Sequence, residues 1–109
     1  MTDSKPSPLE IDVQRDDSSA TITVTGEIDL ETSGALHDAL TRANQCREVH
    51  LDLSGVDYMD STGLRLLLET DMRHRENERG CRVQYVRPVG EVARLLELTR
   101  VDERLDFIE

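Results

Sequence analysis

Four residues at a strand-to-helix junction, Asp60-Ser61-Thr62-Gly63, are the chain's best candidates for chemistry. A serine hydroxyl at a helix N-terminus is well placed to carry a phosphate, because backbone N–H groups and the positive end of the helix dipole face it. The alternative is structural, since Asp, Ser and Thr are also common helix N-caps. Gly63 favours a functional role, because glycine in the first helical turn costs up to about 1 kcal/mol against alanine. Its presence indicates that something approaches the backbone closely there.

A second motif, Gly26–Asp29 with the sequence Gly-Glu-Ile-Asp, follows an earlier strand. Asp29 is a candidate polar contact near Ser61, and the alternative is that Asp29 caps the first helix while Gly26 ends the strand. A divalent cation held by Asp29 and Asp60 is a weakly supported alternative, because the sequence offers no further ligands beside these two carboxylates. No metal and no cofactor are predicted.

Phosphorylation of Ser61 would change the charge of this region strongly. The phosphate adds roughly −1.5 to −2 charges, next to Asp60 and close to the expected position of Asp29. The fold can tolerate that charge, but a partner docked on these residues would meet a different surface. The pattern therefore predicts a switch.

Enzymatic mechanisms find little support in the sequence. Ser61 lacks the Gly-x-Ser-x-Gly elbow of α/β hydrolases, and His37, His50 and His74 have no predicted route to it. Lys5 is the only lysine, so the rest of the chain supplies no P-loop or Schiff-base lysine. We therefore predict a protein that is not an enzyme. A small-molecule or nucleotide-binding module is a lesser alternative.

Hydrophobic periodicity divides the chain into strands and helices. Apolar residues at every second position predict strands, and apolar residues three or four apart predict helices. The predicted strands lie at 9–13, 20–24, 49–53, 81–86 and 105–108, and the predicted helices at 30–45, 64–79 and 90–99. Residues 1–8 are expected to form a flexible polar tail, and 9–109 a single domain.

The element order β-β-α-β-α-β-α predicts an α/β fold with a mixed sheet of four to five strands and helices mainly on one face. The loops after the second and third strands, 26–29 and 55–60, leave from the carboxyl ends of parallel neighbours. We expect them on the same edge of the sheet, where open α/β sheets usually place their sites.

The helix that follows the candidate serine has a regular apolar pattern. Leu64, Leu67, Leu68 and Met72 recur at helical spacing and are predicted to face the core. Gly80 is the expected end of this helix, because glycine is favoured just past a helix C-terminus.

Composition removes several classes of function. The chain has 109 residues, 13 Lys plus Arg and 23 Asp plus Glu, for a formal net charge of −10. Such a chain repels nucleic acid. No apolar run approaches the roughly 20 residues of a membrane span, and the polar N-terminus lacks a signal-peptide core. We therefore expect a cytoplasmic protein with no nucleic-acid or membrane partner.

The two cysteines, Cys46 and Cys81, stand apart from each other and from any histidine at metal-binding spacing. We interpret them as free thiols buried near element ends. A disulfide or a reactive pair is the alternative.

Taken together, the two motifs resemble those of the bacterial anti-sigma-factor antagonists, which are stand-alone STAS domains. The resemblance spans about residues 9 to 108. It is carried by Gly26-Glu27-Ile28-Asp29, by the strand 49–54 and by Tyr58-Met59-Asp60-Ser61-Thr62-Gly63-Leu64.

This resemblance implies a STAS fold and a partner-switching cycle. In that cycle the unphosphorylated antagonist binds and sequesters an anti-sigma factor, which is also a serine kinase, and so frees a sigma factor. The kinase phosphorylates the serine that matches Ser61, the antagonist is released, and a PP2C-type phosphatase resets it. The resemblance makes Asp60 the acidic neighbour and Asp29 the acidic residue of the adjoining loop. Thr62 is a packing residue and a lesser candidate for phosphorylation.

The expected partner-binding surface is called the rim below. The rim comprises Gly26, Glu27, Asp29, Tyr58, Asp60, Ser61, Thr62 and Gly63. The free protein is expected to be a monomer. The alternative function is a non-switching STAS scaffold, or an accessory subunit of a signalling or transport complex. The intact Asp60-Ser61 pair, and the lack of a transporter or sensor segment within these residues, favour the antagonist.

Overall fold

Five strands and three helices alternate along the chain in the computed structural model, which describes residues 8–43, 45–75 and 81–108. The strands are β1 Leu9–Arg15, β2 Ser19–Ile28, β3 Glu48–Met59, β4 Arg82–Val86 and β5 Phe107–Ile108. The helices are α1 Ser33–Ala43, α2 Ser61–Arg75 and α3 Gly90–Leu98, and a short 3₁₀ helix lies at Val101–Glu103.

The sheet follows the chain, with strand order β1-β2-β3-β4-β5. β1 is antiparallel to β2, and each later strand is parallel to the one before it. The prediction of a mixed α/β sheet is therefore confirmed, with five strands. Because every crossover steps in the same direction, right-handed connections place the helices on one face. Alternate residues of β2, β3 and β4 are buried under them, and the residues between are more exposed.

The turn between β1 and β2 is held by Asp16. Its Oδ1 atom accepts hydrogen bonds from the N–H groups of Ser18 at 3.1 Å and Ser19 at 2.8 Å. These bonds favour the charged carboxylate and lower the pKa of Asp16. The predicted hairpin is thus present, and its turn lies at the amino end of β2.

β3 is longer than predicted. Residues 55–59, expected in a loop, continue the strand and pair with β2 as far as Ile28 and Met59. Two register shifts explain the difference. Between Asp52 and Gly55, β3 contains one residue more than the facing stretch of β2. A second extra residue lies between Val56 and Tyr58. Such bulges break the two-residue alternation that identifies a strand in sequence.

Other predicted boundaries shift by smaller amounts. α1 begins at Ser33 rather than residue 30, because residues 29–32 form a separate hydrogen-bonded turn. α3 matches its prediction to within one residue, and β5 is confined to Phe107–Ile108. The predicted end of α2 at residues 76–80 lies outside the described residues.

The buried face of α2 differs from the predicted one. Leu67 is buried as expected, but Leu64 and Leu68 are only half-buried and Met72 is exposed. The residues of α2 that pack inward are Gly63, Leu66, Leu67, Thr70 and Asp71. Four leucines cover a wide arc of this helix, so hydrophobicity alone leaves its rotation undetermined. The tertiary packing places Gly63 against the sheet and thereby sets that rotation.

Two alanine substitutions on α2 distinguish these faces. Leu67 is 0% exposed and Met72 is 51% exposed. We expect Leu67→Ala to lower the free energy of unfolding by about 2–5 kcal/mol, because it leaves a cavity. Met72→Ala should stay within about 0.5 kcal/mol of the parent protein. Urea unfolding measures both values, and an equal loss in the two variants would contradict the observed rotation.

Candidate functional site

The rim lies where β2 and β3 end side by side. Ile28 pairs with Met59, and the next amide, Asp60 N–H, donates a hydrogen bond to the Ile28 carbonyl at 3.3 Å. The carboxyl ends of both strands therefore meet at one edge of the sheet. The prediction that the two motifs share an edge is confirmed, although strand residues bring them together rather than long loops.

Asp60 caps α2. Its Oδ1 atom accepts hydrogen bonds from the amides of Thr62 at 2.9 Å and Gly63 at 3.2 Å, and its carbonyl accepts one from Leu64 N–H at 3.1 Å. An aspartate in this role satisfies amides that otherwise lack a partner at the helix start. The structural alternative is thus correct for Asp60, and Ser61 becomes the first residue of the helix.

Ser61 is left exposed by this arrangement. Within the described residues, the Ser61 hydroxyl makes no hydrogen bond. The amides to which a capping serine would bind already donate hydrogen bonds to Asp60. The Ser61 hydroxyl is therefore accessible to solvent and takes no part in the cap of α2.

Close packing explains why a glycine occupies position 63. A methyl group built at Gly63 would lie 2.5 Å from Met59 Cγ and 3.0 Å from Ile28 Cγ2. The first turn of α2 thus sits directly against the ends of β2 and β3. The close backbone approach predicted from Gly63 is present, and the approaching groups belong to the protein's own core.

Asp29 forms a second cap, joined to Thr32. The Asp29 Oδ1 atom accepts hydrogen bonds from the amides of Glu31 and Thr32, both at 3.0 Å. The buried Thr32 hydroxyl accepts one from Asp29 N–H at 2.9 Å and donates to the Glu27 carbonyl at 2.8 Å. Asp29 therefore stabilises the turn before α1, as the capping alternative predicted. Thr32, which helical spacing had placed on α1, instead belongs to this turn.

Gly26 and Glu27 connect the rim to β1. Gly26 has φ of +112°, a conformation that favours glycine, and a side chain there would meet the Pro8 carbonyl. Glu27 N–H donates to the same carbonyl at 2.7 Å. The exposed Glu27 pairs with the exposed Tyr58 across the two strands. Gly26 thus has a structural role, whereas Glu27 and Tyr58 present side chains to solvent.

The charge around Ser61 is predominantly negative. Asp60 and Asp29 lie beside it, and Glu27, Glu31 and Asp57 are exposed on the same edge. Arg65, one helical turn after Ser61, adds a positive charge on α2. A surface of this kind attracts a basic partner.

An apolar groove adjoins the rim between the end of β3 and α3. It encloses about 480 Å³. Its lining residues are Asp57, Tyr58, Met59, Glu91, Val92, Arg94, Leu95 and Leu98. Leu98 is 72% exposed, and Tyr58 is also exposed. Tyr58 was predicted only through the family resemblance, and the α3 residues that line the groove were not predicted. The sequence feature that could have indicated this groove was Leu98, an apolar residue at the end of an otherwise amphipathic helix.

A second groove lies on the other side of Ser61, between α1 and α2. It has a volume of about 330 Å³. It is lined by Ser33, Gly34, His37, Asp38, Thr62, Arg65, Leu66 and Glu69. Thr62 and His37 share this groove, but Ser61 is not among its lining residues, and His37 lies half-buried on α1. His50 lies on the open face of the sheet beside Glu48, and the side chain of His74 is outside the described residues.

In the described ranges 8–43, 45–75 and 81–108, no group of three or more His, Cys, Asp or Glu is arranged to hold a metal ion. None of the helices in those ranges has the length and apolar character needed to cross a membrane.

Comparison with known proteins gives consistent matches. A family model described as "Mlab, STAS domain" matches residues 11–109. The anti-sigma-B factor antagonist of Staphylococcus aureus is 33% identical over 104 residues, covering 93% of this chain and 94% of the relative. An anti-sigma factor antagonist from Mycobacterium paratuberculosis superposes with a TM-score of 0.75 at 26% identity, over 91% of this chain and 84% of the other. Unphosphorylated SpoIIAA, an anti-sigma factor antagonist, shares the fold with a TM-score of 0.71 at 17% identity, over 92% and 89% of the two chains.

Two glycine substitutions test the packing under Ser61. Alanine is the better helix former by about 1 kcal/mol, but at Gly63 its methyl group would overlap Met59 and Ile28. We expect Gly63→Ala to lower the free energy of unfolding by about 1–3 kcal/mol. Gly34→Ala is the matched control, because nothing lies within 4 Å of a methyl group at Gly34 in α1. It should leave stability unchanged or raise it by up to about 1 kcal/mol. A stabilising Gly63→Ala in chemical denaturation would contradict the packing described here.

Proposed function

The chain belongs to the STAS-domain family, among the anti-sigma-factor antagonists, and we propose that phosphorylation of Ser61 switches it between partners. In this proposal the unphosphorylated protein binds and sequesters an anti-sigma factor that is also a serine kinase, and so frees a sigma factor. The kinase transfers a phosphate to Ser61, and the complex dissociates. The observation that carries the proposal is the exposed hydroxyl of Ser61 at the first position of α2, which makes no hydrogen bond to any residue that the structure describes.

The proposed phosphorylation of Ser61 is supported by the fact that Asp60, and not Ser61, caps α2. Asp60 accepts the amide hydrogen bonds of Thr62 and Gly63, so α2 does not depend on the serine hydroxyl for its cap. Modification of Ser61 therefore leaves the helix start intact. The cycle requires this property, because both phosphorylation states must remain folded.

The added phosphate changes what the partner meets. It brings roughly −1.5 to −2 charges to an edge that already carries Asp29 and Asp60, and the amides of Thr62 and Gly63 beside it already donate to Asp60. The helix start therefore offers the phosphate little compensation. Burying such a charge in an interface requires its desolvation, which weakens the complex.

The surroundings of Ser61 suggest how the partner is held. The exposed carboxylates of Glu27, Glu31 and Asp57 favour a basic surface on the anti-sigma factor. The groove beside Tyr58 and Leu98 supplies apolar area, the kind of pocket in which interface energy concentrates. We propose that the interface is centred on Ser61 and extends into this groove.

The remaining parts of the proposal follow from the cycle. A PP2C-type phosphatase removes the phosphate and resets the protein. Thr62 packs in the groove between α1 and α2 and is a secondary acceptor at most.

The protein acts as a regulator without catalytic activity, in the cytoplasm, where sigma factors act. Residues 9–109 form its single domain, residues 1–8 a flexible tail, and the free protein is a monomer.

Variants of Ser61 test the switch directly. The protein is incubated with the anti-sigma factor of its source organism and ATP, and the phosphate is mapped by peptide mass spectrometry. We expect one phosphate on Ser61 in the parent protein and none in Ser61→Ala. Ser61→Ala should bind the anti-sigma factor and stay bound in the presence of ATP, because it cannot accept the phosphate. Release of Ser61→Ala by ATP at the parental rate would contradict the proposal.

Ser61→Asp provides the complementary measurement. A negative charge at this position should weaken binding by roughly 30- to 150-fold, equivalent to about 2–3 kcal/mol. Ser18→Asp is the control, because Ser18 lies in the turn at the opposite end of β2 and is also exposed. It should bind as the parent does. Unweakened binding of Ser61→Asp, measured by calorimetry, would favour the non-switching scaffold instead.

Leu98→Ser tests the apolar groove. Because Leu98 is largely exposed, the substitution should change the free energy of unfolding by less than about 0.5 kcal/mol. Binding to the anti-sigma factor should weaken by about 5- to 30-fold, since an apolar contact worth about 1–2 kcal/mol is lost. Val13→Ser, an exposed apolar position on the edge strand β1, is the control and should bind normally. Equal affinities of both variants would place the interface outside the groove.

A further inference from the structure

The two cysteines lie together at the end of the sheet opposite Ser61. Glu48 of β3 pairs with Arg82 of β4, and Arg82 N–H donates to the Arg47 carbonyl at 2.8 Å. Continuing this register by one residue places Cys81 beside Arg47, and Cys46 is the residue before Arg47. With neighbouring strands about 4.8 Å apart, this diagonal corresponds to a Cα separation of about 6 Å, inside the range that disulfides span.

Both cysteines belong to the same hydrophobic core. Cys46 and Cys81 are each 5% exposed and belong to the buried cluster under the helices. Cys81 is two residues before the buried Val83, so its side chain is on the helix-covered face of β4. The pKa of the Cys81 thiol is raised by burial and, to a smaller extent, by the charge of Cys46. Such a charge effect requires the two sulfurs to be near neighbours.

The two cysteines have different polar surroundings. The Arg15 guanidinium, from the end of β1, donates from Nη2 to Cys46 Sγ at 3.5 Å. The guanidinium therefore places a positive charge beside the sulfur of Cys46. Cys81 is buried to the same extent as Cys46, and burial raises the pKa of its thiol. The pair therefore combines an attacking sulfur with a neighbouring resolving one.

We propose that Cys46 and Cys81 form a reversible disulfide across the amino ends of β3 and β4 by exchange with a low-molecular-weight disulfide. The Cys46 thiolate attacks the external disulfide, gives a mixed disulfide and releases one thiolate. The Cys81 thiol loses its proton to solvent and attacks Cys46 Sγ, which releases the second thiolate. The external disulfide is reduced to two thiols, and the protein loses two hydrogens.

The bond would close a loop that contains the rim. Residues 46 to 81 include all of β3 and the described part of α2, and thus Ser61. β3 separates the cysteines from Ser61 by roughly 35 Å at about 3.3 Å per residue. The cross-link would therefore stabilise the segment that carries the rim without contacting it. This inference does not depend on the phosphorylation proposed for Ser61.

The test uses the full chain, reduced and then exposed to oxidised glutathione at neutral pH. Mass spectrometry without reduction should show the loss of two hydrogens, no retained glutathione, and a cross-link between the peptides of Cys46 and Cys81. Cys81→Ser should instead retain one glutathione on Cys46, because no resolving thiol remains. Stable glutathione on either cysteine of the parent protein would overturn the proposal. A lack of reaction, when the same chain in urea reacts fully, would also overturn it.

Two further measurements test the assigned roles. Arg15→Gln should slow cross-linking by roughly 3- to 10-fold, whereas Arg47→Gln, an exposed arginine adjacent to Cys46, should not. Arg15→Lys should recover most of the rate by restoring the charge. The oxidised protein should melt on the order of 10 °C higher than the reduced one, and reduction should reverse the shift. An unchanged rate in Arg15→Gln would remove Arg15 from the mechanism, and a lower melting temperature would contradict the fit of the bond.

Discussion

The carboxylate of Asp60 holds the start of α2 against the end of the sheet, and the geometry of the rim depends on this cap. Asp60 accepts hydrogen bonds from the amides of Thr62 and Gly63, while its own amide donates to the carbonyl of Ile28. One residue thus ties a helix start to a neighbouring strand. The cap does not use the Ser61 hydroxyl, which stays exposed beside it.

The acidic residues on and beside the rim have two different roles. One carboxylate oxygen of Asp29 and one of Asp60 accept hydrogen bonds from nearby amides, so both residues stabilise the turns before their helices. Glu27 and Asp57 are exposed and add negative charge to the same edge. Asp29 and Asp60 therefore shape the turns around Ser61, whereas exposed side chains surround it. The apolar groove with Tyr58 and Leu98 is the clearest of these surroundings.

The two ends of the sheet carry separate chemistry. The carboxyl ends of β2 and β3 present the rim, and the amino ends of β3 and β4 hold the buried dithiol with Arg15. Parallel strands make this separation unavoidable, because all their carboxyl ends face one edge and all their amino ends the other. Modification at one end can therefore occur without steric conflict at the other, although α2 and β3 connect them mechanically.

The sequence by itself determined the order of elements, the α/β class and the two motifs at helix starts, because periodicity and capping are local properties of the chain. It did not determine the length of β3, since two bulges interrupt the alternation between Asp52 and Tyr58. The rotation of α2 was also open, because its leucines cover a wide arc and only the packing of Gly63 against Met59 and Ile28 selects one face. The groove beside α3 and the meeting of Cys46 with Cys81 join residues distant in sequence, so only the sheet register and helix packing decided them.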